Sequence, residues 1–332
     1  MKKLLSVAIP TYNRCECLRE ELECIIPQLL PYKDSVEIVI SDNASPESDG
    51  TASMVVELEK KYGISIDYKK IENPIYFEDN FKEVVSRTHG KYIHMTGDDD
   101  IFSPAFYDYI MKIVTKEDNI GLLYFNYLKG DGNCSNGKIK EPYYESNQFV
   151  GLAKDFITKV MENAGFMSSF VFRRDCWDEG EKFEKAEYYG YHFLGRLYQG
   201  ALSLNTNACY CYVPMVIQRN PPRRTWSTSF PLFYYVGYSN IFRDLESQIP
   251  GIYEKWLRKL HNIRKSRRNI NDIYAVCADK KFYKSKKIEF WPHLCRMQKN
   301  TFLFMTSPFS GPLKGCYMWM VRIYYFVTKV FY

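Results

Sequence analysis

The stretch KYIHMTGDDDIFSP, residues 91–104, decides how the rest of this sequence is interpreted. Its first part, Tyr92–Thr96, is rich in β-branched and aromatic residues and is predicted to form a short strand. Three adjacent carboxylates follow it, Asp98, Asp99 and Asp100. They repel one another unless a cation, or solvent at the mouth of a cleft, relieves the charge. Such oxygen ligands suit Mg²⁺ or Mn²⁺ together with substrate phosphates, although acidic residues are also common in an ordinary polar turn.

Upstream of this stretch, strand-like and helix-like segments alternate. Strands are predicted at residues 4–9, 36–41, 64–68 and 92–96, and helices over residues 18–29, 51–62 and 78–88. The first strand is a continuous apolar run that stops at Pro10, which is typical of a strand buried on both faces of a parallel sheet. The alternation predicts βαβ units, and therefore an α/β fold with a mostly parallel sheet flanked by helices.

Polar loops follow three of these strands: TYNR at residues 11–14, SDNAS at 41–45 and GDDD at 97–100. In open α/β sheets, ligands bind outside the carboxyl ends of the strands, so the three loops are predicted to converge on one site. The sequence has no Gly-x-Gly-x-x-Gly after the first strand and no Walker-type loop. This disfavours dehydrogenases and P-loop enzymes, and phosphates would have to be held by a metal and by side chains.

Four motifs resemble those of family-2 glycosyltransferases, which have the GT-A fold. They are VAIPTYNR at 7–14, EIVISDNAS at 37–45, Asn80 within FEDNFKEVV, and GKYIHMTGDDD at 90–100. The similarity covers about the first 115 residues. Within the family, the chain is most similar to the abequosyltransferase-like members of bacterial surface-polysaccharide pathways. The resemblance implies inverting transfer of a sugar from a nucleoside-diphosphate donor, assisted by a divalent cation, Mn²⁺ or Mg²⁺.

The resemblance also assigns a set of residues to the nucleotide and the donor sugar, namely Pro10, Thr11, Tyr12, Arg14, Asp42, Asn43, Asn80 and Asp98. Asp42 would accept a hydrogen bond from the base, most naturally uracil, and Asn80 would reach the nucleotide or the donor sugar. Each has a structural alternative. For Asp42 and Asn43 it is an Asx-type helix cap, and for Pro10, as for Asn13, it is a role as a simple turn residue.

The metal motif of the family, Asp-x-Asp, is altered in this chain. When the sequences are aligned on Ile101, Gly97 falls where the first aspartate is expected. Asp99 then takes the place of the second aspartate, the metal ligand. Asp98 or Asp100 must supply the carboxylate that Gly97 lacks. The resemblance therefore implies a divalent-cation site at these three aspartates and leaves the individual ligands open.

An inverting transferase needs a general base that takes the proton of the acceptor hydroxyl. In the family this base is an acidic residue that opens a helix, and the corresponding segment here is residues 185–200, with a helix predicted over 186–198. Tyr189 and Gly190 stand where the acidic pair is expected, so Glu187 and His192 are the nearest candidate bases. An exposed glutamate and a structural histidine are the alternatives.

The segment QRNPPRRTWSTS, residues 218–229, resembles the family's late loop that closes over the donor diphosphate. Arg223 or Arg224 could neutralise the charge of the leaving group there, and a proline-fixed surface linker is the alternative. Upstream, strands are predicted at residues 121–127, 168–173 and 209–218, and a hairpin tip or loop over 129–140.

The sequence predicts two regions, a GT-A domain over residues 1–229 and a helical, basic and aromatic C-terminal extension over 230–332. From Lys255 to Lys287 there are twelve Lys or Arg residues and two Asp residues, a net charge of +10. Residues 301–332 are dense in aromatic residues, but charges interrupt them before the span of a membrane-crossing helix, about 18 apolar residues, is reached. We expect this extension to lie on an anionic membrane surface. A tail packed on the domain, or a dimer contact in a homo-oligomer, is the alternative.

The ten cysteines are scattered and the N-terminus lacks the pattern of a signal peptide, which favours a reduced cytoplasmic protein. The expected protein is peripheral on the inner face of the cell membrane, with a polyprenyl-diphosphate-linked glycan as acceptor. Nucleic acid is not an expected partner, because no recognised nucleic-acid motif accompanies the basic run. The alternative function is a non-catalytic, membrane-associated protein that binds a nucleotide or a glycan.

Overall fold

A computed structural model describes residues 3–117, 119–130, 138–139, 148–185, 188, 192–219, 233–264, 291, 299–300 and 303. The chain divides into two compact units. One comprises Met1–Glu184 and Phe193–Pro222, and the other comprises Lys185–His192 and Arg223–Tyr332. The domain boundary at residue 229 stays a prediction.

The first unit contains all ten described strands. They are β1 (Leu5–Thr11), β2 (Val36–Asp42), β3 (Ile66–Lys70), β4 (Tyr92–Met95), β5 (Ile101–Phe102), β6 (Ile120–Lys129), β7 (Lys138–Ile139), β8 (Gln148–Leu152), β9 (Phe170–Arg173) and β10 (Asn207–Gln218). The described helices are α1 (Cys15–Leu29), α2 (Thr51–Tyr62), α3 (Phe77–Ser86), α4 (Phe106–Lys116), α5 (Ala153–Val160), α6 (Arg174–Glu181), α7 (His192–Ser203), α8 (Tyr238–Leu245) and α9 (Ile252–Arg264).

The strands form one sheet in the order β3-β2-β1-β4-β9-β6-β10-β5, with β7 beside β6 and β8 beside β10. The first four strands run parallel to one another, as the alternation of strands and helices predicts. In the other half, β9 is antiparallel to both β4 and β6, and β10 is parallel to β6 but antiparallel to β5. The sheet is therefore parallel on its N-terminal side and mixed on its C-terminal side.

Local sequence explains the parallel half. β1 lies between β2 and β4 and is buried along its whole length, which accounts for its unbroken apolar run. β3 lies at the end of the sheet, and its residues alternate between less and more exposed positions. α2 begins after Gly50 and ends at Gly63, and both glycines have positive φ angles, of 77° and 63°. A residue without a side chain adopts this conformation at little cost, so these glycines mark the ends of the helix.

Several boundaries differ from those predicted. β3 begins at Ile66, two residues later than expected, and α7 begins at His192 and continues to Ser203. Residues 186, 187 and 189–191 lie outside the described residues. β7 pairs antiparallel with the end of β6, and residues 131–137, within the hairpin tip or loop predicted over 129–140, lie outside the described residues.

The described part of the second unit contains α8 and α9. Trp256 is completely buried and donates its indole Nε1–H to Ser239 Oγ at 2.9 Å. Its ring packs against those of Tyr238 and Phe242, so an aromatic core joins the two helices. Among the described residues, no helix is both long enough and apolar enough to cross a membrane.

Candidate functional site

The loops that follow β1 and β4 meet at the carboxyl edge of the sheet. Thr11 Oγ1 donates a hydrogen bond to Asp98 Oδ2 at 2.7 Å. Arg14 Nη1 donates to Asp98 Oδ1 at 2.8 Å and to Asp99 Oδ2 at 3.1 Å. Asp98 also accepts the backbone N–H of Tyr12. We call residues 97–100 the acidic turn, and these contacts bind it to the TYNR loop as the sequence predicts.

The carboxylates of the acidic turn are unequally exposed. The side chain of Asp98 is 7% exposed and that of Asp99 is 16% exposed. Burial raises the pKa of Asp98, while the charge of Arg14 and the hydrogen bond from Thr11 act in the opposite direction. Burial and the neighbouring charge of Asp99 raise the pKa of Asp100. Asp99 is therefore the carboxylate best placed to meet a ligand.

Asp100 is held by the second half of the sheet. Ser168 Oγ donates to Asp100 Oδ2 at 2.5 Å and accepts the Gly97 backbone N–H at 2.9 Å. On the other side, the Arg219 backbone N–H donates to Asp100 Oδ1 at 3.2 Å, and Arg219 Nε donates to the carbonyl oxygen of Asp99. Both oxygens of Asp100 thus have protein partners, and Asp100 anchors the acidic turn.

A buried histidine supports this anchor. His94 Nε2 lies 3.0 Å from the carbonyl oxygen of Ser168, and His94 Nδ1 lies 2.9 Å from the hydroxyl of Tyr107. Because a carbonyl can only accept, Nε2 carries the proton and Nδ1 accepts from Tyr107. Burial lowers the pKa of His94 to about 4, so the ring is neutral at physiological pH.

Glu21 is a site-adjacent residue that sequence reasoning missed. It is completely buried on α1, and its Oε1 accepts a hydrogen bond from Thr96 Oγ1 at 3.0 Å. Within the described chain, its Oε2 has no hydrogen-bond partner. Burial, and secondly the charge of Asp100, raise the pKa of Glu21 well above its ordinary value. The sequence feature that indicates it is a charged residue between Leu18 and Ile25, on the apolar face of the helix.

Asp42 is engaged within its own loop. Its Oδ1 accepts the Ser45 backbone N–H at 2.8 Å, and its Oδ2 accepts the Tyr68 hydroxyl at 2.7 Å. The first contact closes the loop within itself and does not cap a helix, since the next helical turn, Glu47–Asp49, follows Pro46 and has no side-chain cap. Asp42 is also only 1% exposed, so a base could bond to it only if the Ser45 N–H or the Tyr68 hydroxyl gave way.

The two asparagines of the predicted pocket hold backbone. Asn43 Oδ1 accepts the Ile75 N–H at 2.8 Å, and Asn43 Nδ2 donates to the Ile75 carbonyl at 2.9 Å. Asn80 is buried and exchanges hydrogen bonds with the hydroxyl and the carbonyl of Ser41, at 2.6 and 3.2 Å. Asn43 therefore joins the loops after β2 and β3, and Asn80 holds α3 against the end of β2.

The remaining predicted site residues are placed as follows. Pro10 is buried within β1, and Tyr12 is 44% exposed at the edge of the sheet. His192 is half-buried at the start of α7 and belongs to the second unit, where its ring lies 6.2 Å from that of Tyr188. Glu187, Arg223 and Arg224 lie outside the described residues. Arg219, which contacts the acidic turn, was not predicted; its position immediately after the apolar strand β10 was the signal available.

As arranged, the three aspartates do not fit a divalent cation. In the described part of the chain, no three His, Cys, Asp or Glu side chains are grouped so that they could hold a metal ion. Both oxygens of Asp98 and of Asp100 accept from protein donors, and Asp99 contacts Arg14. A metal ion would require these side chains to exchange partners.

Comparison with known sequences gives two matches. Residues 6–176 match the family described as glycosyl transferase family 2. Over 188 residues the chain is 29% identical to abequosyltransferase RfbV of Salmonella typhimurium strain LT2, and the alignment covers 53% of this chain and 54% of that protein. The chain thus spans about half the length of the curated relative that it matches.

Two solved structures share the fold. Residues 1–349 of S. aureus TarS, in complex with UDP-GlcNAc, have a TM-score of 0.62 at 13% identity, covering 84% of this chain and 81% of that one. The mannosyltransferase PcManGT of Pyrobaculum calidifontis, in complex with GDP-Man and Mn²⁺, has a TM-score of 0.52 at 14% identity, covering 92% of this chain and 84% of that one. The predicted α/β fold of the GT-A type is confirmed.

Proposed function

The chain belongs to glycosyl transferase family 2, and we propose that it transfers a sugar from a nucleoside-diphosphate donor to a hydroxyl of a glycan acceptor, with inversion. The observation that carries this proposal is the junction of the TYNR loop with the acidic turn, where Thr11 and Arg14 both bond to Asp98. It lies at the carboxyl ends of parallel strands, where open α/β sheets bind their ligands.

The donor is proposed to be a nucleotide sugar, most naturally a UDP-sugar. The complexes of TarS with UDP-GlcNAc and of PcManGT with GDP-Man support a nucleoside diphosphate and leave the base open. In this chain, the exposed ring of Tyr12 offers a stacking surface for a base, and Asp42 would accept from the base once one of its present partners, Ser45 or Tyr68, gives way. Asn43 and Asn80 would act by fixing the loops that surround the base.

In the proposed reaction, the acceptor oxygen attacks the anomeric carbon opposite the departing nucleoside diphosphate. Glu187 and His192 are the candidate bases for the hydroxyl proton. Negative charge develops on the departing diphosphate, and Arg223 or Arg224 would neutralise it. Mn²⁺ or Mg²⁺ remains the predicted cofactor, although the present partners of the aspartates leave it no ready site.

The acceptor is proposed to be a polyprenyl-diphosphate-linked glycan at the inner face of the cell membrane. The match to an abequosyltransferase supports a role in surface-polysaccharide assembly. The basic stretch that starts within α9 supports attraction to anionic lipid headgroups. Self-association into a homo-oligomer remains an alternative use of the aromatic C-terminal residues.

Donor hydrolysis in the absence of acceptor tests the proposal without knowledge of the acceptor. UDP-, GDP- and CDP-sugars are incubated with the protein, with and without Mn²⁺, and the released nucleoside diphosphate is measured. We expect one base to be preferred and Asp99→Asn to reduce release about 100-fold, since a charged group of the donor site is lost. Asp155→Asn on the exposed face of α5 is the matched control and should behave as the wild type.

A second candidate function, a non-catalytic nucleotide or glycan binder, is favoured by Gly97 in place of the first aspartate and by Tyr189 and Gly190 in place of the acidic pair. Calorimetric titration with UDP, GDP and CDP separates the two functions. Binding of one nucleotide without hydrolysis of its sugar would favour the binder. If no nucleotide binds, the glycosyltransferase proposal is refuted, and the binder proposal survives only for a glycan.

A further inference from the structure

We infer that Arg14 is the resident counter-cation of the acidic turn and that a divalent ion can bind this turn only by displacing the Arg14 side chain. The inference rests on the proposed function in one respect, because it treats the acidic turn as the donor site. It concerns which cation neutralises that site before any donor arrives.

The guanidinium group of Arg14 bridges two carboxylates of the acidic turn. A single nitrogen, Arg14 Nη1, contacts a carboxylate oxygen of Asp98 at 2.8 Å and one of Asp99 at 3.1 Å. Bridging of two adjacent carboxylates is what a divalent ion would do at the same place. A metal ion bonded to these oxygens would stand within a few ångströms of the guanidinium charge, so the two cations exclude each other.

The ion pairs of Arg14 with the two aspartates are largely buried. The side chain of Arg14 is 19% exposed, compared with 7% for Asp98 and 16% for Asp99. Little water screens the three charges, so their attraction exceeds that of an exposed surface pair. The arginine therefore competes strongly with an incoming ion.

The rest of the acidic turn offers no replacement ligands for a divalent ion. Asp100 already accepts from Ser168 and from the Arg219 N–H. Gly97 has no side chain, and a Cβ there would lie 3.2 Å from Asp99 Oδ1 and 3.4 Å from Asp100 Oδ2, which is tight. A divalent ion must therefore bind through Asp98 and Asp99, the two residues that Arg14 holds.

Direct titration of Mn²⁺ into the protein, without nucleotide, tests the inference. Free Mn²⁺ is followed by electron paramagnetic resonance for the wild type, Arg14→Gln and Arg19→Gln. Arg19 is the matched control, because it lies on α1, which begins directly after Arg14, and binds Glu57 at 2.9 and 2.8 Å on the surface. We expect Arg14→Gln to bind Mn²⁺ at least about ten-fold more tightly than the wild type, because the ion no longer has to break the partly buried ion pair of Arg14. Arg19→Gln should match the wild type.

Equal Mn²⁺ affinity in the wild type and Arg14→Gln would overturn the inference. If Arg14→Gln does not fold, the Mn²⁺ affinity of the wild type decides. A dissociation constant in the low micromolar range without nucleotide would contradict the inference that Arg14 occupies the acidic turn. Weak Mn²⁺ binding would support the inference. Arg14→Lys, which keeps the positive charge, should bind Mn²⁺ as weakly as the wild type. The readout needs no donor, so a failure of this inference is distinguishable from an absence of donor hydrolysis.

Discussion

At the scale of single residues, Ser168 joins the acidic turn to the second half of the sheet. Its hydroxyl accepts from Gly97 and donates to Asp100, and its carbonyl accepts from His94. All three contacts are enclosed in the protein, and Ser168 itself is 1% exposed. A buried hydroxyl with two partners stabilises a fold mainly because its loss leaves both partners unpaired.

Replacing Ser168 by alanine should therefore be costly. The Gly97 N–H and the Asp100 carboxyl would lose their shared partner, and each buried unpaired group costs about 1 to 3 kcal/mol. We expect the free energy of unfolding, measured by urea denaturation, to fall by about 2 kcal/mol or more.

The adjacent serine provides the control. Ser169 is completely buried as well, but its Oγ has no hydrogen-bond partner among the residues that the structure describes. Ser169→Ala removes an unpaired polar atom, so the free energy of unfolding should stay unchanged or rise. Equal destabilisation by the two substitutions would show that the hydrogen bonds of the Ser168 hydroxyl do not stabilise the fold.

The buried imidazole of His94 should make stability depend on pH. Its pKa is lowered from 6.5 to about 4 in the folded protein. Below pH 6.5 the unfolded chain binds a proton at this position that the folded chain does not, so stability falls as pH falls. Between pH 7.5 and pH 5, we expect this group to lower the free energy of unfolding by about 2 kcal/mol.

Urea denaturation at both pH values measures the effect. His94→Gln should be less stable than the wild type at pH 7.5, and it should lose the part of the pH dependence that the imidazole causes. His89→Gln is the control, because His89 lies on the surface with its side chain 74% exposed. A full pH dependence retained in His94→Gln would assign that dependence to other groups.

At the scale of elements, the parallel half of the sheet could be predicted because its signals are local. The apolar run of β1 and the spacing of apolar residues on α1 are visible within a dozen residues, and α2 has the predicted bounds Thr51–Tyr62 because glycines flank it. The strands of the mixed half were also predicted, at residues 121–127, 168–173 and 209–218, but their order and direction in the sheet were not. β9 is only four residues long, and its insertion between β4 and β6 depends on partners that are distant in sequence.

The contact between α6 and α7 was also hidden in the sequence. A Cβ added at Gly200 would lie 1.8 Å from the carbonyl oxygen of Cys176, and one at Gly180 would lie 2.0 Å from that of Arg196. Because both obstacles are backbone atoms, neither can move aside as a flexible side chain would. The two helices approach this closely only because each has a glycine at the contact.

Gly200→Ala should therefore destabilise the protein although alanine favours helices. Relieving the clash requires α6 and α7 to separate, and such overpacking costs about 1 to 3 kcal/mol or more, against a gain in helix propensity of about 1 kcal/mol. We expect a net loss of free energy of unfolding and a lower melting temperature by calorimetry. Ser203→Ala at the exposed end of α7 is the control and should change stability by less than about 1 kcal/mol. Equal stability of Gly200→Ala and the wild type would contradict the close packing.

At the scale of the whole molecule, the position of the candidate site could be predicted, but the partners of its carboxylates could not. The TYNR, SDNAS and GDDD loops lie where the order of strands requires, since carboxyl ends of parallel strands share one edge. The residues that hold Asp100 are 68 and 119 positions away in the sequence. Contacts over such separations follow from the tertiary fold, so nothing local in the sequence indicates that Ser168 and Arg219 hold Asp100, although Arg219 lies in the segment 218–229 that resembles the diphosphate loop.

The charge of the whole chain is also unevenly distributed, and this leads to a prediction about membranes. Twelve Lys or Arg residues lie between Lys255 and Lys287, and the first of them are on α9. Each basic residue near an anionic surface contributes about 1 kcal/mol of attraction. We expect the protein to co-sediment with vesicles that contain phosphatidylglycerol, to bind pure phosphatidylcholine far more weakly, and to dissociate at high salt, because salt screens this attraction.

A charge-neutralised variant makes the test specific to this segment. Changing Arg264, Lys265, Arg267 and Arg268 to glutamine should weaken binding to anionic vesicles at least about ten-fold. The control changes four exposed lysines of the first unit to glutamine, Lys60, Lys61, Lys112 and Lys116, and should bind as the wild type does. An equal loss in both variants would mean that overall charge, and not the basic segment, attracts the membrane. Undiminished binding by the first variant to both kinds of vesicle would assign the contact to the aromatic residues beyond position 300, because apolar contacts do not depend on lipid charge.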